Sequence, residues 1–358
     1  MSAHFHPVTI KEVRKETNDC VSIAFDIPEN LLNEFQFIQG QYINLKTNIN
    51  GEEIRRSYSL CSSPLENELR VAVKKVEAGL FSTYANEKLK AGDIVELMTP
   101  NGKFFTPLNV THQKKYVAFA SGSGITPILS IIKTTLQTEA QSSFTLVYGN
   151  KNHQSIIFKE ALESLKNKYM GRFQLIHVLS RERTDATINY GRIDEKKMNE
   201  LIKLIELKSI DEFFICGPEE MILLIKHFLE EKNIDKKKIH FELFKTSSQK
   251  VEGKRQKAET ADHYPKSKIT VKLDGRSFDF ELVLNNQSIL DAALQQGADL
   301  PFACKGGVCC TCKAKLLEGK VTMDVCYGLE PEEIEQGYIL TCQSHPITEK
   351  VVVDYDIK

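Results

Sequence analysis

The chain has 358 residues, 41% hydrophobic and 27% charged, with a formal net charge of −1. That length exceeds one ordinary core and points to two or three domains, and the composition excludes large disordered regions. Near-neutral charge excludes nucleic-acid binding by bulk basicity, and no apolar run approaches the 18 residues of a spanning helix.

The N-terminal stretch "MSAHFHPVTIKEVRKE" lacks the apolar core of a secretory leader, so a cytoplasmic location is expected. The first hundred residues then read as short strands. "VSIAFDI", "YINLKT", "LRVAVKKV" and "DIVELMT" alternate and are rich in β-formers, with Gly and Pro between them. Such pieces close into a small antiparallel barrel, expected over 1–110. From about 114 apolar strands ("KYVAFA", "FTLVYGN", "FQLIHVLS", "DEFFICG") alternate with helical runs. That alternation predicts parallel βαβ units of the doubly wound class over 111–245. Residues 246–267 are polar and charged and read as a linker, with a solvated helix as the alternative. "KITVKLDGRSFDFEL" then gives a hairpin around Asp274-Gly275, "SILDAALQQG" a helix closed by Gly297, and "KVVVDYDI" a last strand. This third domain is placed at 268–358.

Nine cysteines fall at 20, 61, 216, 304, 309, 310, 312, 326 and 342. Their crowding near the end suggests reduced thiols with one local use, not a disulfide scaffold. Cys304, Cys309 and Cys312 give C-x4-C-x2-C, and Cys342 follows. This is the plant-type spacing for a [2Fe–2S] cluster. Gly306 and Gly307 let the loop fold closely enough to aim backbone N–H groups at the sulfurs. A zinc site normally takes two C-x2-C knuckles, and only one is present. A redox C-x-x-C sits in a thioredoxin-like unit, which this segment lacks. Residues 268–358 resemble a plant-type ferredoxin, a β-grasp α+β fold, including "LPFACKGGVCCTC" and "LTCQ". Cys310 stands where that family usually has a small polar residue. Cys310 and Cys326 are read as packing residues.

In the barrel region Arg55-Arg56-Ser57-Tyr58-Ser59 supplies R-x-Y-S. Arg56 can pair with a pyrophosphate, Tyr58 can pack on a flat ring and Ser59 can bond its edge. "VKKVEAGLFSTYA" places Gly79, Phe81, Ser82 and Thr83 at a helix start, a ready phosphate site. The turn from Pro100 to Gly102 is expected to close over the ligand. Residues 8–245 resemble the ferredoxin–NADP reductase family. The resemblance implies FAD contacts at Arg56, Ser57, Tyr58, Ser59, Val73, Lys74, Gly79, Phe81, Ser82 and Thr83, with FMN as the lesser alternative. It places the last aromatic of "IHFELF", Phe244, against the flavin, and Tyr58 and Ser59 at the reacting ring.

"FASGSGITPIL" runs strand, glycine turn, helix. Gly122, Ser123 and Gly124 permit close backbone approach, and Thr126 and Pro127 open the helix whose positive end faces the ligand. The G-x-G-x-x-P form is usual in the reductase family. Cys216-Gly217-Pro218 ends a later strand, where open α/β sheets bind ligands. By resemblance Cys216 lies beside the nicotinamide. Ser180 and Arg181, with Arg183 nearby, can hold a 2′-phosphate, which favours NADPH over NADH; a solvated charged loop is the alternative.

A hydride carries two electrons and a [2Fe–2S] cluster takes one, so a flavin belongs between them. Within the reductase family, a C-terminal ferredoxin implies service to a multicomponent oxygenase. The resemblance of the last segment further implies a di-iron oxygenase component as acceptor. No E-x-x-H pairs for a di-iron site occur here, so oxygen chemistry is expected elsewhere. Another oxygenase, a hybrid-cluster protein, or a carrier role without reductase activity stay open as alternatives. From 266 to 358 there are 10 Lys and Arg against 14 Asp and Glu. That balance suits a basic acceptor face and equally an ordinary solvated surface.

Overall fold

A computed structural model describes residues 4–244, 265–284 and 286–357. It divides into two compact units, one of Phe5–Phe244 and one built on the described residues from 265 onward. Positions 246–264 of the expected linker lie outside the described residues.

The first unit begins with β1 (His6–Thr17), β2 (Cys20–Asp26), β3 (Tyr42–Ile49), β4 (Glu52–Ser59) and β5 (Leu69–Lys74). Helix α1 (Leu80–Glu87) and β6 (Ile94–Leu97) follow. The six strands form one antiparallel sheet in the order β4-β3-β6-β1-β2-β5. A bridge from Leu60 to Val71 brings its two edges together. Ile10, Ile23, Ile43, Leu45, Leu60, Val71 and Leu97 are almost fully buried in its core. Each such side chain contributes about 1.5–3 kcal/mol, whereas a surface ion pair gives roughly 0–1 kcal/mol. The apolar face therefore decides the register.

The twelve-residue β1 was not among the strands expected from sequence. Among its residues only Val8, Ile10 and Thr17 are buried, so its alternation is diluted by "KEVRKE". Pairing with both β2 and β6 holds it in place.

The second half of this unit has β7 (Lys115–Ser121), α2 (Ile125–Thr138), β8 (Ser143–Asn150), α3 (Lys159–Lys168) and β9 (Phe173–Leu179). It continues through α4 (Glu195–Leu201), β10 (Glu212–Gly217), α5 (Glu219–Glu231) and β11 (Ile239–Leu243). All five strands are parallel, in the order β11-β10-β7-β8-β9. Strand order reverses between β7 and β10. In an open parallel sheet that reversal leaves a crevice beyond the strands' carboxyl ends. Both glycine turns open there.

The other unit has β12 (Lys266–Leu273), β13 (Arg276–Val283), α6 (Ile289–Gln295) and β14 (Lys313–Glu318). After these come β15 (Val321–Met323), α7 (Pro331–Glu335), β16 (Tyr338–Leu340), β17 (Ser344–Pro346) and β18 (Lys350–Asp354). The main sheet runs β13-β12-β18-β14-β16, with β12 and β18 parallel, and β15 pairs with β17. This is the β-grasp arrangement. Asp274 and Gly275 take φ of +50° and +70°, the left-handed pair that a two-residue hairpin requires. β12 starts at Lys266, two residues inside the expected linker, because Ser267 is buried and pairs with Leu282. Ser288 caps α6 by accepting from the Asp291 N–H at 3.1 Å.

Candidate functional site

The R-x-Y-S residues lie at the end of β4. Arg56 is exposed, and its Nη1 donates to the Arg55 carbonyl at 2.7 Å. No carboxylate pairs with it among the described residues. Ser57 donates to Asn44 Oδ1 at 2.7 Å. The half-buried Tyr58 ring stands 5.5 Å from that of Phe81 at 39°, and burial pushes its phenol far above the usual range. Tyr58 thus offers a flat neutral face at the barrel edge.

Gly79 caps α1. A Cβ there would stand 2.4 Å from Ser82 Oγ and 2.5 Å from Val76 Cγ2, so only glycine fits. Ser82 Oγ accepts from the Val76 N–H at 3.2 Å and donates to the Gly79 carbonyl at 3.1 Å. Its hydroxyl therefore shapes the loop before the helix, and Thr83 is the more accessible of the two. Phe81 and Val73 are buried. Lys74 extends from β5 to Asp19 at 3.7 Å. Its Nζ also lies 3.8 Å from where a Gly122 Cβ would stand, with nothing else within 4 Å. The open space over Gly122 is bordered by an ammonium. The Pro100–Gly102 turn leans on Tyr42: a Gly102 Cβ would stand 3.0 Å from its Cδ1.

At the crevice, Gly122 takes φ +54°. A Cβ on Gly124 would stand 2.1 Å from the Cys216 carbonyl oxygen. The glycine turn and the Cys216-Gly217-Pro218 segment are thus in backbone contact, which brings the two nucleotide motifs together. Thr126 Oγ1 donates to the Ser123 carbonyl at 3.0 Å and tightens the turn. Pro127 is buried in the first turn of α2, and Ser123 is half-exposed. Cys216 is fully buried, and burial pushes its thiol up. Ser180 follows β9, its N–H donating to the Asn150 carbonyl at 2.9 Å. Arg181 and Arg183 are exposed, and the Arg183 guanidinium lies 5.9 Å from the centre of the Tyr190 ring. Phe244 is half-buried against the core of the nucleotide half.

One residue at this crevice was missed by sequence reasoning. Glu242, on β11, pairs in register with Cys216. Its Oε2 accepts from Ser59 Oγ at 2.8 Å. Desolvation pushes its carboxyl up to about 7, against the lowering effect of Ser59. In the sequence it is an ordinary acid inside "IHFELF", read only for its last aromatic. Ser59, Cys216 and Glu242 thus meet where the barrel faces the end of the parallel sheet. An acid set between Phe241 and Leu243 in the closing strand was the available signal.

In the other unit the thiols of 304, 309, 312 and 342 make a chain. Cys309 Sγ is 3.0 Å from Cys304 Sγ, and Cys342 is hydrogen-bonded to both Cys304 and Cys312. Hydrogen bonds from Cys309 and Cys342 pull the Cys304 thiol well below its usual range, while Cys309 and Cys342 are pushed up. The Gly306 N–H donates to Cys304 Sγ at 3.3 Å, and Gln343 Nε2 to Cys342 Sγ at 3.6 Å. Gly307 takes φ +70°, and a Cβ there would stand 2.5 Å from Val325 Cγ2. Among the described residues no three His, Cys, Asp or Glu side chains are set to hold a single ion. A run of thiols fed by N–H donors suits an iron–sulfur cluster, where sulfur is shared between irons. Cys310 and Cys326 are half-exposed, and neither is a core residue.

Three family models match the chain: an oxidoreductase FAD-binding domain over 7–106, an oxidoreductase NAD-binding domain over 119–227, and a 2Fe-2S iron-sulfur cluster binding domain over 271–346. The chain is 48% identical to one of the subunits of 1,2-phenylacetyl-CoA epoxidase from Escherichia coli K12, covering 99% of this chain and 98% of that one. It belongs to this family of oxygenase reductase components. It is also 31% identical to the ferredoxin reductase component of 3-ketosteroid-9-alpha-monooxygenase from Rhodococcus rhodochrous, over 97% of this chain and 96% of that one. Among solved structures, phthalate dioxygenase reductase shares the fold at a TM-score of 0.58 and 24% identity, with 98% of each chain covered.

The reductase is an oxidoreductase that uses FAD, NAD(P)H and a [2Fe–2S] cluster to pass electrons to an oxygenase. When bound, the flavin accepts two electrons as a hydride and releases them singly to the cluster. No helix among the described residues is long and apolar enough to cross a membrane.

Proposed function

We propose that this reductase draws on NADPH and delivers electrons to the di-iron component of a phenylacetyl-CoA epoxidase. The observation that carries the acceptor is the near full-length 48% identity to the Escherichia coli epoxidase protein. The coenzyme preference rests on Ser180 and Arg181 at the end of β9. The Arg181 guanidinium is exposed and has no ion-pair partner among the described residues. A planar, permanently charged fork in that position suits a phosphate dianion.

In this reading residues 1–110 carry FAD, 111–245 carry the nucleotide, 246–267 link, and 268–358 carry the cluster. Arg56 and the α1 N-terminus with Gly79, Ser82 and Thr83 serve the flavin phosphates. Ser57, Tyr58, Ser59, Val73, Lys74, Phe81 and Phe244 hold the flavin body. Gly122, Ser123, Gly124, Thr126 and Pro127 receive the nucleotide pyrophosphate, which Lys74 also borders. Cys216, Gly217 and Pro218 wall the nicotinamide, with Cys216 neutral. Cys304, Cys309, Cys312 and Cys342 ligate the irons.

The test is reconstitution. The purified holoprotein, NADPH and the epoxidase oxygenase component should together convert phenylacetyl-CoA to its epoxide. Reduction of cytochrome c without epoxide formation would move the acceptor to another oxygenase. Equal kcat/KM for NADH and NADPH would refute the coenzyme assignment.

A further inference from the structure

The loop after β9 reads Ser180-Arg181-Glu182-Arg183. It places an acid between the two arginines proposed above to favour a 2′-phosphate. An acid near the adenosine ribose is the usual mark of NAD selection, because it accepts the ribose 2′-hydroxyl and repels a phosphate there. The geometry shows where the carboxylate goes. Glu182 Oε2 accepts from the His153 backbone N–H at 2.9 Å, and Oε1 lies 2.7 Å from His153 Nδ1. Both oxygens are committed to one residue. These bonds hold the Glu182 carboxyl below its ordinary range.

His153 opens a short turn after β8, fixed by reciprocal bonds between Asn152 and Ser155. The Arg181 N–H donates to the Lys151 carbonyl at 2.8 Å, which ties the two loops together beyond the sheet. Arg181 remains without a carboxylate partner among the described residues, and Arg183 lies by Tyr190.

We propose that His153 is a positioning residue for coenzyme choice: it ties down Glu182 so that the loop presents positive charge to the 2′-phosphate of NADPH. This rests on the NADPH reading above. The reach is local. His153 and Glu182 side chains are 46% and 41% exposed, so solvent screens their attraction. Solvent screening of so exposed a pair limits the effect to roughly 1.4-fold to fivefold in binding.

The test is a double-mutant cycle on the holoprotein with two readouts. The first is the ratio of kcat/KM for NADPH over NADH. The second is the Kd of 2′,5′-ADP against that of ADP by calorimetry. His153→Ala should lower both preferences by about threefold, with kcat unchanged. Glu182→Gln removes the charge to be restrained, so His153→Ala in that background should change neither. An equal loss in both backgrounds would overturn the proposal, since His153 would then act without Glu182. No loss in either would also overturn it. Arg181→Ala is the control for the underlying reading. If it leaves the NADPH preference intact, the 2′-phosphate assignment itself fails; if it abolishes the preference while the His153 variant does nothing, only the restraint of Glu182 fails.

Discussion

Ser59 Oγ donates to Glu242 Oε2 at 2.8 Å across 183 residues of sequence, joining the end of the barrel strand β4 to the last strand of the parallel sheet. The bond fixes both halves of the first unit around the crevice that holds Cys216. It also ties a titrating carboxyl to the proposed flavin edge.

Burial lifts Glu242 from 4.5 to about 7. Between those values the folded chain binds more protons than the unfolded one, so this group's contribution to stability falls as pH rises from about 4.5 to 7. In Glu242→Gln that slope should vanish, and the melting temperature should gain on wild type up to neutral pH and then level. Flavin reduction by NADPH in stopped flow should slow by about tenfold to 100-fold and lose an inflection near pH 7. A variant that keeps the inflection would place the titrating group elsewhere.

Cys309→Ser should erase the visible absorption and electron paramagnetic resonance signal of the cluster, and cytochrome c reduction should fall by at least about tenfold. Flavin reduction by NADPH should stay within roughly twofold of wild type, because Cys309 and the nucleotide crevice belong to separate compact units. Loss of both activities together would contradict that separation.

Gly124→Ala pushes a methyl to within 2.1 Å of the Cys216 carbonyl oxygen. The neighbour is backbone and cannot swing aside. The expected result is a loss of roughly 1–3 kcal/mol in stability by denaturant titration and at least a tenfold rise in KM for NADPH. Normal binding would mean that β10 and the glycine turn separate freely.

Arg70 is 7% exposed at its side chain, and it bonds Glu68 at 2.7 Å, Ser22 at 2.9 Å and Glu12. Removing one partner of a fully buried pair costs about 3–5 kcal/mol; here both carboxylates are partly exposed, so Arg70→Ala should cost roughly 2–3 kcal/mol in urea unfolding. Hydrogen bonds from Arg70 hold Glu68 and Glu12 below 4.5. Their contribution is present above that value and fades as pH falls. The gap between variant and wild type should therefore narrow in acid, and a constant gap from pH 7 to 3 would refute the ion-pair account.

The cysteine spacing, the R-x-Y-S run and the glycine turns were readable because each is a local demand of backbone geometry or ligand chemistry on adjacent residues. Gly79 shows this directly: a Cβ there would crowd Ser82 and Val76, both within three residues of it. The parallel sheet was readable too, since strands buried on both faces announce themselves as apolar runs. β1 was not, because its polar residues are tolerated only through pairing on both sides.

The sequence by itself determined the three kinds of site and their order along the chain, since those depend on short-range patterns. Only the tertiary structure decided that Glu242 meets Ser59, that the Gly124 turn rests on Cys216, and that His153 restrains Glu182. Those contacts join residues far apart in the chain. Burial and hydrogen-bond partners then set the charge of each group, and neither is encoded in the residue's immediate neighbours.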